Sequence, residues 1–262
     1  MDKRYFMFLI SFKGCSSKDR DSDDDGLDDG FEVNVLGTLP NNIDSDGDGI
    51  LDGTEYGLIA DEVQIGYWMS DTYTYISGTD MGVFVPDSDP STTTDPTDTD
   101  TDKDGLDDGV EDIDKNGRVS VSDYSESDPS NPDTDGDMII DGEDPGIRDC
   151  DYDDDGLWDG PSIGIYFGEL AYGTDNTKWD SEDTPDGLPD GLEVGLDLSS
   201  VKTGSAAYRG YNVMYTNYNV NDAYATTGYF WPDADDTTTT KPLIRDSDDD
   251  GLTDGQEDFR VF

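Results

Sequence analysis

The 262-residue sequence contains no histidine. Serine–histidine and cysteine–histidine catalytic pairs are therefore excluded, as are metal sites that use imidazole. The two cysteines, Cys15 and Cys150, are too few to hold a fold of this size together by disulfides. No apolar run approaches the ~20 residues that a membrane-spanning helix needs, so we expect no membrane span.

Basic residues are also scarce. Lys and Arg number 15 against 65 Asp and Glu, which gives a formal net charge of −50. Nucleic acid and anionic membrane surfaces would repel such a chain, and cations are its expected partners. Composition alone predicts disorder. However, most of the acidic residues are Asp, whose short side chain suits a tight ligand loop better than a merely solvated tail.

One pattern, DxDxDG[L/I]xDGxE, occurs four times without a mismatch and organises the sequence. Twelve-residue spacing of this kind is not expected of a low-complexity acidic linker, which has no reason to fix glycine at positions 6 and 10. We number the loops in chain order, and the four complete copies are loop 1 (Asp21–Glu32), loop 2 (Asp44–Glu55), loop 3 (Asp100–Glu111) and loop 8 (Asp246–Glu257).

The spacing points to a hard cation. Such ions take six to eight oxygens at about 2.3–2.6 Å, and carboxylates at positions 1, 3 and 5 converge if glycine at position 6 permits a sharp turn. Position 7 offers its backbone carbonyl and turns its side chain inward, while a longer Glu at position 12 closes the shell. Together with Asp at position 9, the candidate ligands are Asp21, Asp23, Asp25, Leu27, Asp29, Glu32, Asp44, Asp46, Asp48, Ile50, Asp52, Glu55, Asp100, Asp102, Asp104, Leu106, Asp108, Glu111, Asp246, Asp248, Asp250, Leu252, Asp254 and Glu257.

Four further loops depart from the pattern. Loop 4 (Asp112–Asp123) is EF-hand-like or dockerin-like, whereas loop 5 (Asp133–Asp144) has Met138 in place of the turn glycine. Loop 6 (Asp151–Asp159) needs Glu169, after an insertion, at position 12. Loop 7 (Glu182–Glu193) matches the pattern least well, because Thr occupies position 3. We expect it to bind metal weakly or not at all. Their candidate ligands are Asp112, Asp114, Asn116, Arg118, Asp123, Asp133, Asp135, Asp137, Asp141, Asp144, Asp151, Asp153, Asp155, Leu157, Asp159, Glu169, Asp186, Asp190 and Glu193.

These loops resemble thrombospondin type 3 repeats in their bacterial and archaeal form. The connectors agree, since VNVLGTLPNNID follows Glu32 and LAYGTDNTKWD follows Glu169. The resemblance implies about eight or more Ca²⁺ ions, wrapped by a chain with little regular secondary structure. It also implies a stiff array in which successive loops share or abut metal shells. The expected fold class is therefore mostly irregular calcium-loop repeats with small β-strand inserts, elongated and with little helix.

The expected domain organisation alternates loops with inserts. The pattern predicts two or three short strands in Glu62–Val85 and another strand in Ile163–Tyr172. The aromatic-rich Val194–Ile244 is interpreted as a small β-domain, a packing surface or a surface that stacks against sugar rings. Two Thr/Pro-rich segments, Ser88–Thr101 and Asp235–Pro242, read as exposed linkers. The predicted divisions are 1–18, 19–60 (loops 1 and 2), 61–99, 100–193 (loops 3 to 7 with the insert 160–180), 194–245 and 246–262 (loop 8).

The N-terminal segment admits three interpretations. Lys3 and Arg4, the apolar run Tyr5–Phe12 and Cys15 resemble a lipoprotein signal. Alternatively, Tyr5–Phe12 is a β-strand apolar on both faces, which a neighbouring subunit or its own chain would bury.

The charge balance and the loops favour a structural function. Because 50 uncompensated negative charges oppose compaction, we expect calcium binding and folding to be one event. Extracellular calcium modules typically bind Ca²⁺ with modest affinity. We therefore expect the ions bound by these loops to have a structural rather than a signalling role. The first hypothesis is a microbial extracellular or surface protein, not an enzyme, forming a rod that self-assembles into a filament. The second is an adhesin or lipid-anchored stalk that binds glycan or a surface protein.

Overall fold

Regular secondary structure is sparse in this computed structural model, which describes residues 19–69, 74–121, 124–208, 211–216, 230, 232 and 238–257. The predicted low content of helix and strand is confirmed for these residues. The segment 1–18 with Cys15, the predicted ligand Asp123 and much of the aromatic-rich insert lie outside the described residues. The described elements are the helical turns α1 (Asp29–Phe31, continued by a π-helical turn Glu32–Leu36), α2 (Asp52–Glu55), α3 (Asp108–Glu111), α4 (Glu169–Tyr172), α5 (Asp190–Glu193) and α6 (Asp254–Glu257), and the strands β1 (Tyr67–Met69), β2 (Thr74–Ile76), β3 (Ser205–Tyr208) and β4 (Tyr211–Met214).

The chain divides into two compact units. Unit 1 comprises residues 1–119 and 128–130, and unit 2 comprises residues 120–127 and 131–262. Loops 1, 2 and 3 therefore belong to unit 1 and loops 5 to 8 to unit 2, while loop 4 contributes residues to both.

Each unit has a small apolar core beside its loops. In unit 1, Leu27 at position 7 of loop 1 is fully buried with Leu58 and Phe84. In unit 2, Leu157 at the same position of loop 6 is buried with Leu196 and Phe230. The inward direction predicted for position 7 is thus confirmed for Leu27 and Leu157. The burial of these few apolar side chains stabilises the packing of the loops within each unit.

Two antiparallel hairpins account for the described strands. Strand β1 pairs with β2, with Trp68 opposite Tyr75, and β3 pairs with β4, with Ala206 opposite Val213. Strands were therefore correctly predicted within Glu62–Val85 and within the aromatic-rich insert. No described helix is long and apolar enough to cross a bilayer.

The prediction for Ile163–Tyr172 was wrong. Ile163 and Tyr166 form a single bridge, and the segment ends in the helical turn α4. Gly168 and Gly173 flank that turn, and a left-handed glycine after a helix is a frequent terminator. The apolar run is therefore a tight loop and a turn rather than a strand.

The exposed-linker reading of Ser88–Thr101 was also wrong in part. Thr92 is buried, and its hydroxyl donates to the carbonyl oxygens of Asp89 (3.0 Å) and Gly117 (2.6 Å). The backbone N–H of Thr94 donates to the carbonyl of Glu55 at 3.1 Å. This segment is consequently built into unit 1 beside loop 2.

Candidate metal sites

The acidic loops share one internal scaffold of hydrogen bonds. One carboxylate oxygen at position 1 accepts the N–H of position 6, as from Gly26 to Asp21 at 3.1 Å. An oxygen at position 5 accepts the N–H of position 7, as from Leu27 to Asp25 at 2.7 Å. Gly26 has φ +101°, a conformation that side chains with a Cβ disfavour, so glycine makes this turn readily. The same pair of bonds recurs in loops 2, 3, 5, 6 and 8.

Position 9 is held by position 2 of its own loop. In loop 2, the N–H and the hydroxyl of Ser45 donate to the two carboxylate oxygens of Asp52, both at 2.6 Å. Loops 1, 3, 5 and 8 make the same pair of bonds from Ser or Thr. The sequence analysis missed this role of position 2, although its signal was visible in the Asp-Ser and Asp-Thr dipeptides that open these loops.

Successive loops dock through the glycine at position 10. A Cβ on Gly53 of loop 2 would overlap the carbonyl oxygen of Asp25, at position 5 of loop 1. Only a residue without a side chain fits such an approach. The other described cases of this contact between position 10 and position 5 of the preceding loop are Gly109 on Asp48, Gly160 on Asp137, Gly191 on Asp155 and Gly255 on Asp186.

Hydrogen bonds from the backbone N–H of these glycines to carboxylate oxygens of the preceding loop reinforce this docking. The N–H of Gly109 donates to Asp48 at 2.7 Å, and that of Gly255 donates to Asp186 at 2.6 Å. The contacts link loops 1, 2 and 3 in unit 1 and loops 5, 6, 7 and 8 in unit 2. In loop 4 the residue at position 10 is Val121, and the division between the units falls at residues 119 and 120.

Docking brings carboxylates of two loops together. Asp25 and Glu32 of loop 1 offer oxygens that lie within 4.8 Å of each other and of Asp52, from position 9 of loop 2. Asp48, Glu55 and Asp108 repeat this arrangement between loops 2 and 3. Within single loops, the same distance criterion groups positions 1, 3 and 5 in loops 1, 2 and 3 (Asp21, Asp23, Asp25; Asp44, Asp46, Asp48; Asp100, Asp102, Asp104).

These clusters contain buried oxygens for which the described residues provide no hydrogen bond. Glu32 is fully buried, yet its Oε2 has no partner among them, and the same holds for Oδ2 of Asp25 and Oε2 of Glu55. A buried carboxylate without a hydrogen bond or a counter-charge is strongly unfavourable. An oxygen-coordinating cation would satisfy these atoms, so the residues present fit Ca²⁺. Other such oxygens in the described loops belong to Asp23, Asp46, Asp102, Asp135, Asp144, Asp153, Asp159, Glu169, Asp190 and Glu193.

Threonine hydroxyls orient several of the closing glutamates. Thr38 donates to Oε1 of Glu32 at 3.4 Å, Thr94 to that of Glu55 at 3.0 Å, and Thr240 to that of Glu193 at 2.8 Å. Each bond occupies Oε1 and leaves Oε2 for another ligand. The sequence analysis assigned these threonines to linkers and connectors and did not predict that they hydrogen-bond to the closing glutamates. The Gly-Thr dipeptide after loop 1 was the visible signal.

The electrostatics of the clusters disfavour ionisation in the absence of a cation. Burial, together with the negative charges of Asp23 and Glu32, raises the pKa of Asp25 to about 9. Burial, with Asp46 and Asp48, raises the pKa of Glu55 to about 10. Desolvation and like charges both penalise the carboxylate form, and a bound dication would reverse both effects.

Glu169 lies near the carboxylates of loop 6 although an insertion separates it from them along the chain. Glu169 is buried, and neither of its carboxylate oxygens has a hydrogen-bond partner among the described residues. Burial raises its pKa to about 9, with Asp153 and Asp190 adding their negative charges. Glu169 also raises the pKa of the fully buried Asp155. Positions 5 and 12 of loop 6 therefore lie near position 9 of loop 7, as in loops 1 and 2.

The turn of loop 7 begins two residues earlier than the sequence pattern indicated. Asp180, rather than Glu182, accepts the N–H of the turn glycine, Gly187, at 2.9 Å. The N–H of Ser181 donates to Asp190 at 3.0 Å, so Ser181 serves as position 2. Glu182 is buried with both carboxylate oxygens unpartnered among the described residues. Sequence analysis missed Asp180 and Glu182 because it allowed no insertion, although the Asp-Ser dipeptide was their signal.

Loop 5 keeps the shared scaffold despite its methionine. Met138 adopts φ +79°, and its N–H donates to Asp133 at 3.1 Å. Burial, with Asp137 and Asp144, raises the pKa of Asp135 to about 10. The turn geometry is therefore retained although Met138 replaces the turn glycine, with a side chain in the left-handed region that glycine prefers.

Loops 4 and 8 are more open. In loop 4, Gly117 donates its N–H to Asp112 at 2.7 Å, while Asp114 and Arg118 are exposed. In loop 8 the side chains at positions 3, 5, 7 and 12 are exposed, namely those of Asp248, Asp250, Leu252 and Glu257.

Comparison with family models, with curated proteins and with solved structures returned no match. The resemblance to thrombospondin type 3 repeats therefore stays a prediction from the loop pattern. The case for metal binding depends on the geometry of the loops themselves.

Proposed function

We propose that this chain is a calcium-binding structural protein whose loops are stapled to one another by the ions. The observation that carries the proposal is the convergence of buried carboxylates from consecutive loops, as at Asp25, Glu32 and Asp52. In that cluster one oxygen of Asp25 and one of Glu32 have no hydrogen-bond partner among the described residues. Oxygen-only ligand sets favour Ca²⁺ or Mg²⁺ over thiolate- and imidazole-seeking metals. A flexible site with several carboxylates favours the larger Ca²⁺.

Folding and calcium binding are a single event under this proposal. About eight dications would neutralise 16 of the 50 net negative charges and would occupy the orphaned oxygens. Small-angle X-ray scattering in millimolar Ca²⁺ and in excess chelator tests this coupling. The radius of gyration is expected to rise on chelation toward about 56 Å, the value for an unfolded chain of this length. A chain that stays compact in chelator, or binds no Ca²⁺ in calorimetry, would contradict the proposal.

The proposed setting is extracellular or at a microbial cell surface, where millimolar Ca²⁺ saturates structural sites of modest affinity. There the chain forms an elongated rod and assembles into a filament. Negative-stain electron microscopy in millimolar Ca²⁺, repeated after chelation, distinguishes filaments, dispersed rods and unfolded chains. Dispersed rods would remove the filament from the proposal and leave the calcium-stapled rod.

A second candidate function is ligand binding by the β1–β2 hairpin. Trp68 is 69% exposed and Tyr75 45% exposed, and their rings lie 5.3 Å apart across the strands. An exposed aromatic pair on a two-stranded hairpin is typical of a stacking surface for sugar rings or a partner protein. Glycan-array binding that is lost in Trp68→Ala but kept in Trp179→Phe, a change at a buried tryptophan, would favour the adhesin.

A further inference from the structure

A lysine side chain crosses the docking contact between loops 2 and 3. The ammonium of Lys115 donates to the carbonyl oxygen of Gly109, at position 10 of loop 3, and to that of Asp48, at position 5 of loop 2, the latter at 3.4 Å. The lysine stem also reaches loop 2, because a Cβ on the turn glycine Gly49 would lie 3.4 Å from Cε of Lys115. Lys115 therefore contacts both loops at the point where they dock, and all of these residues belong to unit 1.

The backbone of loop 4 brings Lys115 to this place. Loop 4 follows loop 3 without a connector, since Asp112 comes directly after Glu111. Lys115 is at position 4 of loop 4, with a left-handed φ of +59°, and Lys103 at position 4 of loop 3 has nearly the same φ, +70°. The side chain of Lys103 is nevertheless 61% exposed, whereas Lys115 is half-buried. The position of Lys115 against loops 2 and 3 is thus particular to loop 4.

At the corresponding place between loops 1 and 2, the covering side chain is uncharged. A Cβ on Gly26 or on Gly53, at positions 6 and 10, would meet the ring of Phe84. Phe84 is buried in the apolar core of unit 1. In unit 2, a Cβ on the turn glycine Gly156 of loop 6 would overlap the ring of Phe230. The contact between loops 2 and 3 has a cation where these two contacts have an aromatic ring.

The charge of Lys115 lies beside carboxylates that loops 2 and 3 share. The carboxylate of Asp48 accepts the N–H of Gly109 at 2.7 Å, and the carbonyls of the same two residues accept from Lys115. Burial raises the pKa of Asp48, and the positive charge of Lys115 opposes that rise. Asp48 converges with Glu55 and Asp108, and we call these three residues the loop 2–3 site. Water and salt screen a partly buried charge less than an exposed one, so Lys115 would repel an ion bound there.

We propose that Lys115 lowers the calcium affinity of the loop 2–3 site below that of the site formed by Asp25, Glu32 and Asp52 between loops 1 and 2. Lys115 is not a ligand. Its hydrogen bonds hold the two loops together, while its charge opposes the ion. The loop 2–3 site is then the first of the two to lose its ion as the calcium concentration falls. This inference rests on the proposed function, since it requires that Ca²⁺ binds the shared carboxylates.

Ions of different charge separate the two effects of Lys115. Ca²⁺ and Tb³⁺ are similar in size and both bind oxygen ligands, so the loss of a hydrogen bond between the loops weakens both ions equally. Repulsion by a fixed charge is proportional to the charge of the ion. A lysine that weakens Ca²⁺ binding about tenfold therefore weakens Tb³⁺ binding about thirtyfold. The ratio of the two affinities reports the charge alone.

The variants divide accordingly. Lys115→Met keeps the stem and Lys115→Gln keeps an N–H donor, and both remove the charge. Each is expected to raise the ratio of Tb³⁺ to Ca²⁺ affinity at the loop 2–3 site about threefold over wild type. Lys115→Arg keeps the charge, and Lys241→Met removes an exposed lysine of unit 2. Both controls should leave the ratio unchanged.

Calorimetric titration of the full chain and the four variants with each ion measures these ratios. A second series in a Glu55→Gln background assigns the change to its site, because the effect of Lys115→Met should disappear once the loop 2–3 site is weakened. An unchanged ratio in the variants without the charge, or a changed ratio that persists in the Glu55→Gln background, would overturn the inference and leave calcium binding intact. A wild-type protein that binds neither ion would instead overturn the proposed function.

Discussion

At the scale of single residues, several loop carboxylates divide their two oxygens between two tasks. Asp25 uses Oδ1 to accept the N–H of Leu27 at 2.7 Å, and its Oδ2 has no partner among the described residues. Glu55 likewise uses Oε1 for Thr94 and leaves Oε2. One oxygen fixes the position of the side chain and the other is left for a ligand, which is the preorganisation that an ion-binding site needs.

Glu55→Gln tests this division directly. The amide keeps an oxygen for Thr94 but removes the charge and the second ligand oxygen, so the calcium affinity of the site shared by loops 2 and 3 should fall at least tenfold. Calorimetric titration would show the loss as a weaker binding step. Glu62→Gln, in the same unit but outside every loop, should leave the titration unchanged. Equal affinities for the two variants would exclude Glu55 as a ligand.

Met138 offers a stabilising substitution. Its side chain is 66% exposed, so little packing is lost on removal, while its φ of +79° carries a cost of about 1–2 kcal/mol for a residue with a Cβ. Met138→Gly should therefore raise the free energy of unfolding. The net gain is expected to be only about 0.5–1 kcal/mol, because glycine has more freedom in the unfolded chain, which offsets part of the relieved strain. Urea denaturation in calcium measures this difference. Tyr152→Gly, at an exposed residue whose φ is not positive, should not stabilise.

Much of the site at this scale could be predicted from the sequence. Spacing alone predicted the convergence of the carboxylates at positions 1, 3 and 5 of loops 1, 2 and 3. The hydrogen bond from Thr240 to Glu193 could not be predicted, because 46 residues separate the two along the chain and no local pattern relates them. Asp180 was missed for a different reason: a two-residue insertion moved it out of the twelve-residue register.

At the scale of elements, the helical turns position the carboxylates and the glycine at the end of each loop. Turns α2, α3, α5 and α6 each begin at position 9 and end at position 12 of a loop, too short to be stable alone. Their stability therefore comes from docking, with the glycine at position 10 seated on the preceding loop. The sequence displayed the glycines clearly but gave no indication of what they contact, since the partner loop lies at a different distance along the chain in each case.

Gly53→Ala tests the docking of loop 2 on loop 1. The added Cβ would overlap the carbonyl oxygen of Asp25, and backbone atoms on both sides leave little room to relax. The expected loss is about 1–3 kcal/mol of unfolding free energy, the usual cost of overpacking. Gly82→Ala is the control, because Gly82 is exposed and its Cβ would meet only the end of the Asp80 side chain; a change within about 0.5 kcal/mol is expected there. Similar losses for both variants would argue against loop docking.

At the scale of the whole molecule, the raised pKa values link stability to pH and calcium. The unfolded chain ionises its carboxyls near pH 4, whereas burial holds the pKa of Asp25 at about 9 and that of Glu55 at about 10 without a cation. Between these limits the folded state binds more protons than the unfolded state. Stability of the calcium-free protein must then fall as pH rises.

Calcium should invert that dependence. Since the ion binds carboxylates and competes with protons, the calcium-bound protein should gain stability as pH rises above about 5. Thermal unfolding monitored between pH 4 and 8, with and without calcium, should give slopes of opposite sign. Parallel slopes in the two conditions would show that the buried carboxylates are not the calcium ligands.

The docking contact also has a consequence for how such a chain can change over evolutionary time. Loops 1 and 2 are joined by 11 residues, loops 2 and 3 by 44, and loops 7 and 8 by 52, yet the same glycine-to-carbonyl contact recurs across all three junctions. What must be conserved is the pair of surfaces, and the length of the connector is free. New hairpins or whole foreign domains can therefore be grafted between loops without disturbing the scaffold, which makes the connectors the natural sites for diversification and for engineered insertions.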